Sequence, residues 1–139
     1  MKNAIMTAIG IAGSTVSAVF GGWTASLTTL LIFMAIDYAT GWALATIFHK
    51  SPKSETGAYD SRAGFKGLVR KGFILLFVLI GHRLDVAIGT AYIRDGVCIA
   101  FMANELLSII ENAGLMGIPI PTIITNAIDI LKKKNDQKG

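Results

Sequence analysis

Charge is scarce in this sequence. Asp, Glu, Lys and Arg make up 16% of its 139 residues, against about 25% in a typical soluble domain. That deficit argues against a domain that meets water on all sides. Cysteine is nearly missing as well. Cys98 stands alone in an apolar context, which excludes an internal disulfide and leaves no partner for a thiolate metal site. Its expected role is packing. The two histidines, His49 and His82, are far apart, His49 at an interface and His82 between helices. No phosphate loop is present, because Gly57, Gly64 and Gly67 follow no strand. No nucleophile elbow appears either. Glu105 and Glu111 are paired carboxylates with no nucleophile or pocket signal beside them, so no catalytic residue, no metal and no cofactor is expected.

What is present is apolar. Hydrophobic residues make up 53% and mean hydropathy is +0.58. The 13 basic residues are clustered. Lys50, Lys53, Arg62, Lys66, Arg70 and Lys71 fall in one segment, and Lys132, Lys133, Lys134 and Lys138 in the tail. Basic clusters flanking apolar runs read as cytoplasmic loops of a membrane protein rather than as a nucleic-acid surface. Lys2 and the apolar run after it resemble a signal peptide, but no Ala-x-Ala site leads into a polar region, so the segment is expected to be retained.

Four stretches are long enough to cross about 30 Å of hydrocarbon at about 1.5 Å per residue. They are residues 4–20, 24–48, 72–90 and 93–113. In the first, Gly10, Ser14, Ala18 and Gly22 recur every four residues, a spacing that lets membrane helices approach closely. In the second, Asp37 is the only charge, near the midpoint, with Thr40 and Gly41 on its side of the helix. A carboxylate at that depth costs about 2.5–3.5 kcal/mol and is expected to face protein or water. Arg83 and Asp85 in the third stretch are about 200° apart on a helix and serve different faces. Arg83 reaches a depth similar to Asp37, and an Asp37–Arg83 pair is the expected means of lowering both costs. Trp23, after Gly21 and Gly22, suits the membrane–water interface.

The fourth stretch is unlike the others. At about 100° per residue, Asn104, Ser108 and Glu111 share a narrow arc, flanked by Glu105 and Asn112. Leu106, Ile109 and Ile110 take the other side. Arg94 and Asp95 lie at its outer end. Its eight Leu, Ile, Val and Phe residues favour insertion by about 0.3–0.6 kcal/mol each. Glu105 and Glu111, if ionised, offset most of that. This segment is expected to cross only as part of a bundle.

Residues 49–71 read as a cytoplasmic loop whose second part, from Ser61, is a short surface helix carrying Lys66, Arg70 and Lys71 at the membrane surface. Gly114, Gly117, Pro119 and Pro121 break the chain, and residues 118–139 form a tail whose amphipathic helix runs into Lys132, Lys133 and Lys134. The reading is one all-α membrane domain of three to four transmembrane helices plus this short amphipathic helix. Placing both basic segments on one side gives four spans with both termini cytoplasmic. Three spans is the rival arrangement.

Several of these residues occur in order in a known family. Asp37-Tyr38-Ala39-Thr40-Gly41, Gly67 to Lys71, Asp85, Arg94, Asn104-Glu105-x-x-Ser108-Ile109-x-Glu111-Asn112 and Gly117-x-Pro119-x-Pro121 resemble the phage holin 4 family, the toxin-secretion and phage-lysis holins. The resemblance runs from Asp37 to the C-terminus, about three-quarters of the chain. It implies a phage or prophage protein of the bacterial cytoplasmic membrane with no enzymatic activity or cofactor. Such proteins form homo-oligomers and open lesions that release an endolysin or secrete a large toxin, without stably binding either. On that reading Asn104, Glu105, Ser108, Glu111 and Asn112 pair helices or line the opening, while Asp37, Arg83, Asp85 and Arg94 set helix pairing. Gly10, Ser14, Ala18, Gly22 and Gly41 serve packing. Two other readings share these residues: a small ion channel or transporter subunit, and an antiholin that blocks a holin. Met6, a second potential start that drops Lys2, fits the antiholin reading.

Overall fold

The computed structural model describes residues 1–138. Among them the chain is all helix, without strands. The elements are α1 (Lys2–Phe20), α2 (Ala25–Thr46), α3 (Ser61–Ile88), α4 (Ile93–Leu115) and α5 (Thr122–Lys138). Helices α1 and α2 are long and apolar enough to cross a membrane.

The ends of the helices follow from local chemistry. Gly21 closes α1 in the left-handed region at φ 82°, where glycine has no Cβ penalty. Thr24 starts α2 by accepting the Leu27 amide on its hydroxyl. Asp60 does the same for α3 through the Arg62 amide. Gly89 at φ 83° ends α3. Helix α4 has no cap from its own Ncap residue, Tyr92; the cap arrives from α3, as described below.

Helix α4 is the axis of the bundle. It packs against α2, α3 and α5. Around its first half, Leu27, Leu30, Met34, Val78, Cys98, Ile99 and Met102 form the buried apolar core. Cys98 is fully buried there, as packing requires. Phe77 and Phe101 meet at 6.3 Å between ring centres. Gly81 lets α3 and α4 touch: a Cβ there would stand 3.1 Å from the Arg94 Cα. Helices α2 and α3, by contrast, barely meet.

Large apolar side chains cover the outside. Ile32, Ile36 and Trp42 on α2 and Phe73, Leu76, Phe77 and Ile80 on α3 are exposed. Helix α1 has no buried residue; it lies beside α3, and its last residue meets the bundle.

Three sequence expectations are corrected. Residues 61–71 are not a separate surface helix but the first part of α3, continuous with the apolar stretch that follows. The 49–71 loop is thereby shortened to the turn region before Ser61. The tail also departs from expectation. Helix α5 folds back along α4, with Leu131 against the apolar core and the Asn135 side chain beside Gly96. Ile128 is buried against α4's side of this pair. Lys132, Lys133 and Lys134 are exposed but stand at the α4 N-terminal end, away from the basic loop. Gly139 of the expected tail lies outside the described residues.

Candidate functional site

The second half of the bundle interior is polar. Asp37 from α2, Lys71 from α3 and Glu105 from α4 converge there. The Lys71 ammonium lies 2.7 Å from Asp37 Oδ2 and 2.6 Å from Glu105 Oε2. Asp37 and Glu105 are 8% and 6% exposed. Asn112, one heptad past Glu105 and so on the same face of α4, is buried too. Its amide donates to Asp37 Oδ1 at 3.3 Å and to the Thr40 hydroxyl at 3.0 Å. Thr40 in turn donates to the Asp37 carbonyl. Gly41 lies beside that amide, at 3.8 Å from where a Cβ would stand, an ordinary packing distance.

Charges this deep persist only when paired and hydrogen-bonded, and this cluster meets that condition. It also ties together two helices that otherwise hardly touch, because the long Lys71 side chain reaches across the gap between α3 and α2. The expected Asp37–Arg83 pair does not form. Arg83 is exposed on α3, and Lys71, expected as a membrane-surface cation, takes its place. Lys71 to Arg83 is a long step along α3, so only one of them can sit at the level of Asp37.

The polar stripe of α4 is split in two. Glu105 and Asn112 turn inward. Asn104, Ser108 and Glu111 line a cleft of about 480 Å³ between α2, α3 and α4. The gap between α2 and α3 makes this cleft, and the Asp37–Lys71–Glu105 cluster forms its floor. Tyr38, Trp42 and Tyr59 are among its walls, and the segment before α3 closes one end. Gly64 permits this, since a Cβ there would stand 3.1 Å from the Tyr59 hydroxyl. Arg70 lines the mouth, while Lys66 is simply exposed.

Asp85 and Arg94 work elsewhere, at the far end of the bundle. Asp85 caps α4 from the preceding helix. Its Oδ1 accepts from the Ile93 amide at 2.9 Å and the Thr90 hydroxyl at 2.6 Å, and its Oδ2 accepts from the Arg94 amide at 3.0 Å. A carboxylate there also suits the positive end of the helix dipole. The Arg94 guanidinium donates to the Phe20 and Gly22 carbonyls, at 2.7 and 3.3 Å. Those are end-of-helix carbonyls of α1, so Arg94 ties α1 to the bundle. Gly10, Ser14, Ala18 and Gly22 line an open groove on α1, with nothing within 4 Å of Gly10 or Gly22 where a side chain would stand. Among the described residues no helix covers this seam.

Lys71, the centre of the cluster, was missed as an interior residue. The signal was present: α3 stays helical upstream of Gly72, and Lys71 is the last basic residue before a long apolar run. Gly81 and the capping role of Asp85 were missed as well. No group of three or more potential metal ligands occurs among the described residues.

Charge inside and large apolar side chains outside is the arrangement of a helical membrane protein, whose backbone polar groups are satisfied within helices and whose ionisable groups face inward. The chain belongs to the bacteriophage holin family, whose model matches residues 14–133. Holins are non-enzymatic, pore-forming proteins of the cytoplasmic membrane. An uncharacterised protein of Halalkalibacterium halodurans is 38% identical over 95% of this chain and 96% of its own length. An uncharacterised 14.9 kDa Clostridium perfringens protein, from the region 3' of nagH, is 34% identical over 95% and 96%. A probable holin of Bacillus phage phi105 is 30% identical over 81% of this chain and 78% of its own. No solved structure matches.

Proposed function

We propose that this protein is a holin that gathers in the bacterial cytoplasmic membrane, self-associates, and opens lesions wide enough for a folded protein, an endolysin or a secreted toxin. The observation that carries this reading is the split polar stripe of α4. A buried cluster of ionisable groups sits inside a shell of exposed apolar side chains, and Asn104, Ser108 and Glu111 face an open cleft. In one copy the cluster is satisfied by its own helices. When copies assemble and α2 parts from α3, the same groups face a neighbour or water.

Helices α2, α3 and α4 are the spans, with α1 as a fourth, and the segment before Ser61 faces the cytoplasm under the positive-inside rule. The uncovered seam of Gly10, Ser14 and Ala18 on α1 suits a helix of a second copy. If α4 crosses the bilayer while α5 lies along it, Lys132 to Lys134 face the far side. Three lysines favour the loop's side, so in the inserted protein α5 leaves α4 and lies on the membrane surface.

The test is expression in bacteria with a cytoplasmic endolysin reporter. The expected result is abrupt lysis after a delay, with Asn104→Leu/Glu105→Leu inserting normally but lysing late or never. Passage of ions without release of the reporter overturns the reading in favour of a fixed channel.

A further inference from the structure

The cluster at the floor of the cleft does not balance in charge. Asp37 and Glu105 are two carboxyl groups served by one ammonium, Lys71. The other charged groups of the cleft leave the same surplus. From the segment before α3 come Lys53 and Asp60; from α3, Arg70; from α4, Glu111. Fully ionised, these and the cluster sum to one net negative charge. An uncompensated charge in surroundings this dry is costly, and a carboxyl relieves it by taking a proton.

The donors show which carboxyl does so. Asp37 receives a donor on each oxygen, Lys71 on Oδ2 and the Asn112 amide on Oδ1. Glu105 receives Lys71 on Oε2, an ammonium it shares with Asp37. With fewer donors to hold its charge, Glu105 is the carboxyl that takes the proton. The cleft supplies the route: it brings the cluster to the solvent on the side of the basic loop, past Glu111 and the Tyr38 and Tyr59 hydroxyls.

We infer that the Asp37–Lys71–Glu105 cluster is a proton-binding site, with one proton resident on Glu105 and exchanged with water in the cleft. The site stands on geometry alone. Its use as a switch rests on the holin reading: the closed bundle holds one proton more than the open one, so deprotonation of Glu105 favours parting of α2 from α3. The step is Glu105 carboxylic acid to carboxylate, with the proton passing to cleft water.

The experiment uses the full chain reconstituted in phospholipid vesicles. Infrared spectroscopy near neutral pH should show the carbonyl stretch of a protonated carboxyl, shifted on exchange into D2O. Glu105→Gln should abolish it and Glu111→Gln should keep it. Asp37→Asn should also abolish it, because Lys71 then matches Glu105 one to one. Lys71→Gln should raise it to about twice its intensity, as both carboxyls take protons. Absence of the band in the unsubstituted protein, or its survival in Glu105→Gln, overturns the site.

Release of an entrapped fluorescent dextran from the same vesicles reads the switch. Opening should rise by up to about tenfold per pH unit, only for pH changes on the loop side, and Glu105→Gln should stay shut at every pH. Release with no pH slope overturns the switch. No release at any pH, with the band intact, overturns the holin reading and the switch together while the proton site stands.

Discussion

The two halves of the bundle interior are held by opposite chemistry. Around the first half of α4, Leu27, Leu30, Val78, Cys98 and Met102 pack with no polar partner to satisfy. Around the second half, Asp37, Lys71, Glu105 and Asn112 are held by one another and by Thr40. The apolar half tolerates any arrangement that fills the volume. The polar half tolerates one register of α2, α3 and α4, because a sliding helix separates an ion pair. The two halves divide the work of holding the fold. The apolar end, with Arg94 on the α1 carbonyls and Asp85 on the α4 amides, keeps the helices together. The polar end decides which face each helix shows.

The sharpest way to break the comparison is to remove the one cation of the polar half. Lys71→Met leaves two carboxyl groups in a dry interior and should destabilise the closed protein by about 3–5 kcal/mol, read by denaturant unfolding in detergent. The loss should shrink as pH falls, because without Lys71 folding must bring one more proton onto the two carboxyls, and that uptake grows easier in acid. Replacing the whole cluster at once (Asp37→Leu, Lys71→Met, Glu105→Leu) should restore stability and abolish lysis. Such an outcome separates the register-setting role of the charges from their contribution to stability.

Leu30→Ala tests the apolar half. Leu30 is fully buried, and its truncation should cost about 2–4 kcal/mol through lost burial and the cavity left behind. The loss should not vary with pH. A pH-dependent loss would show that the two halves are coupled rather than separate.

Gly81→Ala is smaller in chemistry but acts on the backbone. Its Cβ would meet the Arg94 Cα at 3.1 Å and the Arg94 amide at 3.3 Å. The helices must separate by a few tenths of an ångström, which should cost about 1–3 kcal/mol. The same shift strains the Asp85 cap, so Ile93 and Arg94 amide protection in hydrogen exchange should fall together.

These residues also show what sequence carries in a protein of this kind. The four long apolar stretches and the inward need of Asp37 and Glu105 were legible because their physics is local: a run of apolar residues, or a carboxylate with nowhere wet to go. The partner of Asp37 was not, because it depends on how far α3 slides past α2. Sequence placed Arg83 at the right depth by centring each apolar run. In the fold α3 begins at Ser61, and that shift brings Lys71 to Asp37 instead. The splitting of the α4 stripe was equally out of reach. Which of five polar residues turn inward depends on the gap between α2 and α3, which Lys71 spans.

Arg83 supplies the smallest expected effect and the most decisive control. It is exposed on α3, so Arg83→Gln should change stability by no more than about 0.5 kcal/mol. The charge-swap pairs then rank the two candidate partners directly. Asp37→Arg with Arg83→Asp should fail as fully as Asp37→Arg alone, since the second change restores nothing near α2. Asp37→Lys with Lys71→Glu keeps one ammonium and two carboxyls in the cluster and should recover part of the stability that either single change loses. Rescue by the Arg83 pair, without rescue by the Lys71 pair, would mean that α3 sits about three turns out of register. The division between the polar and apolar halves would then fall with it.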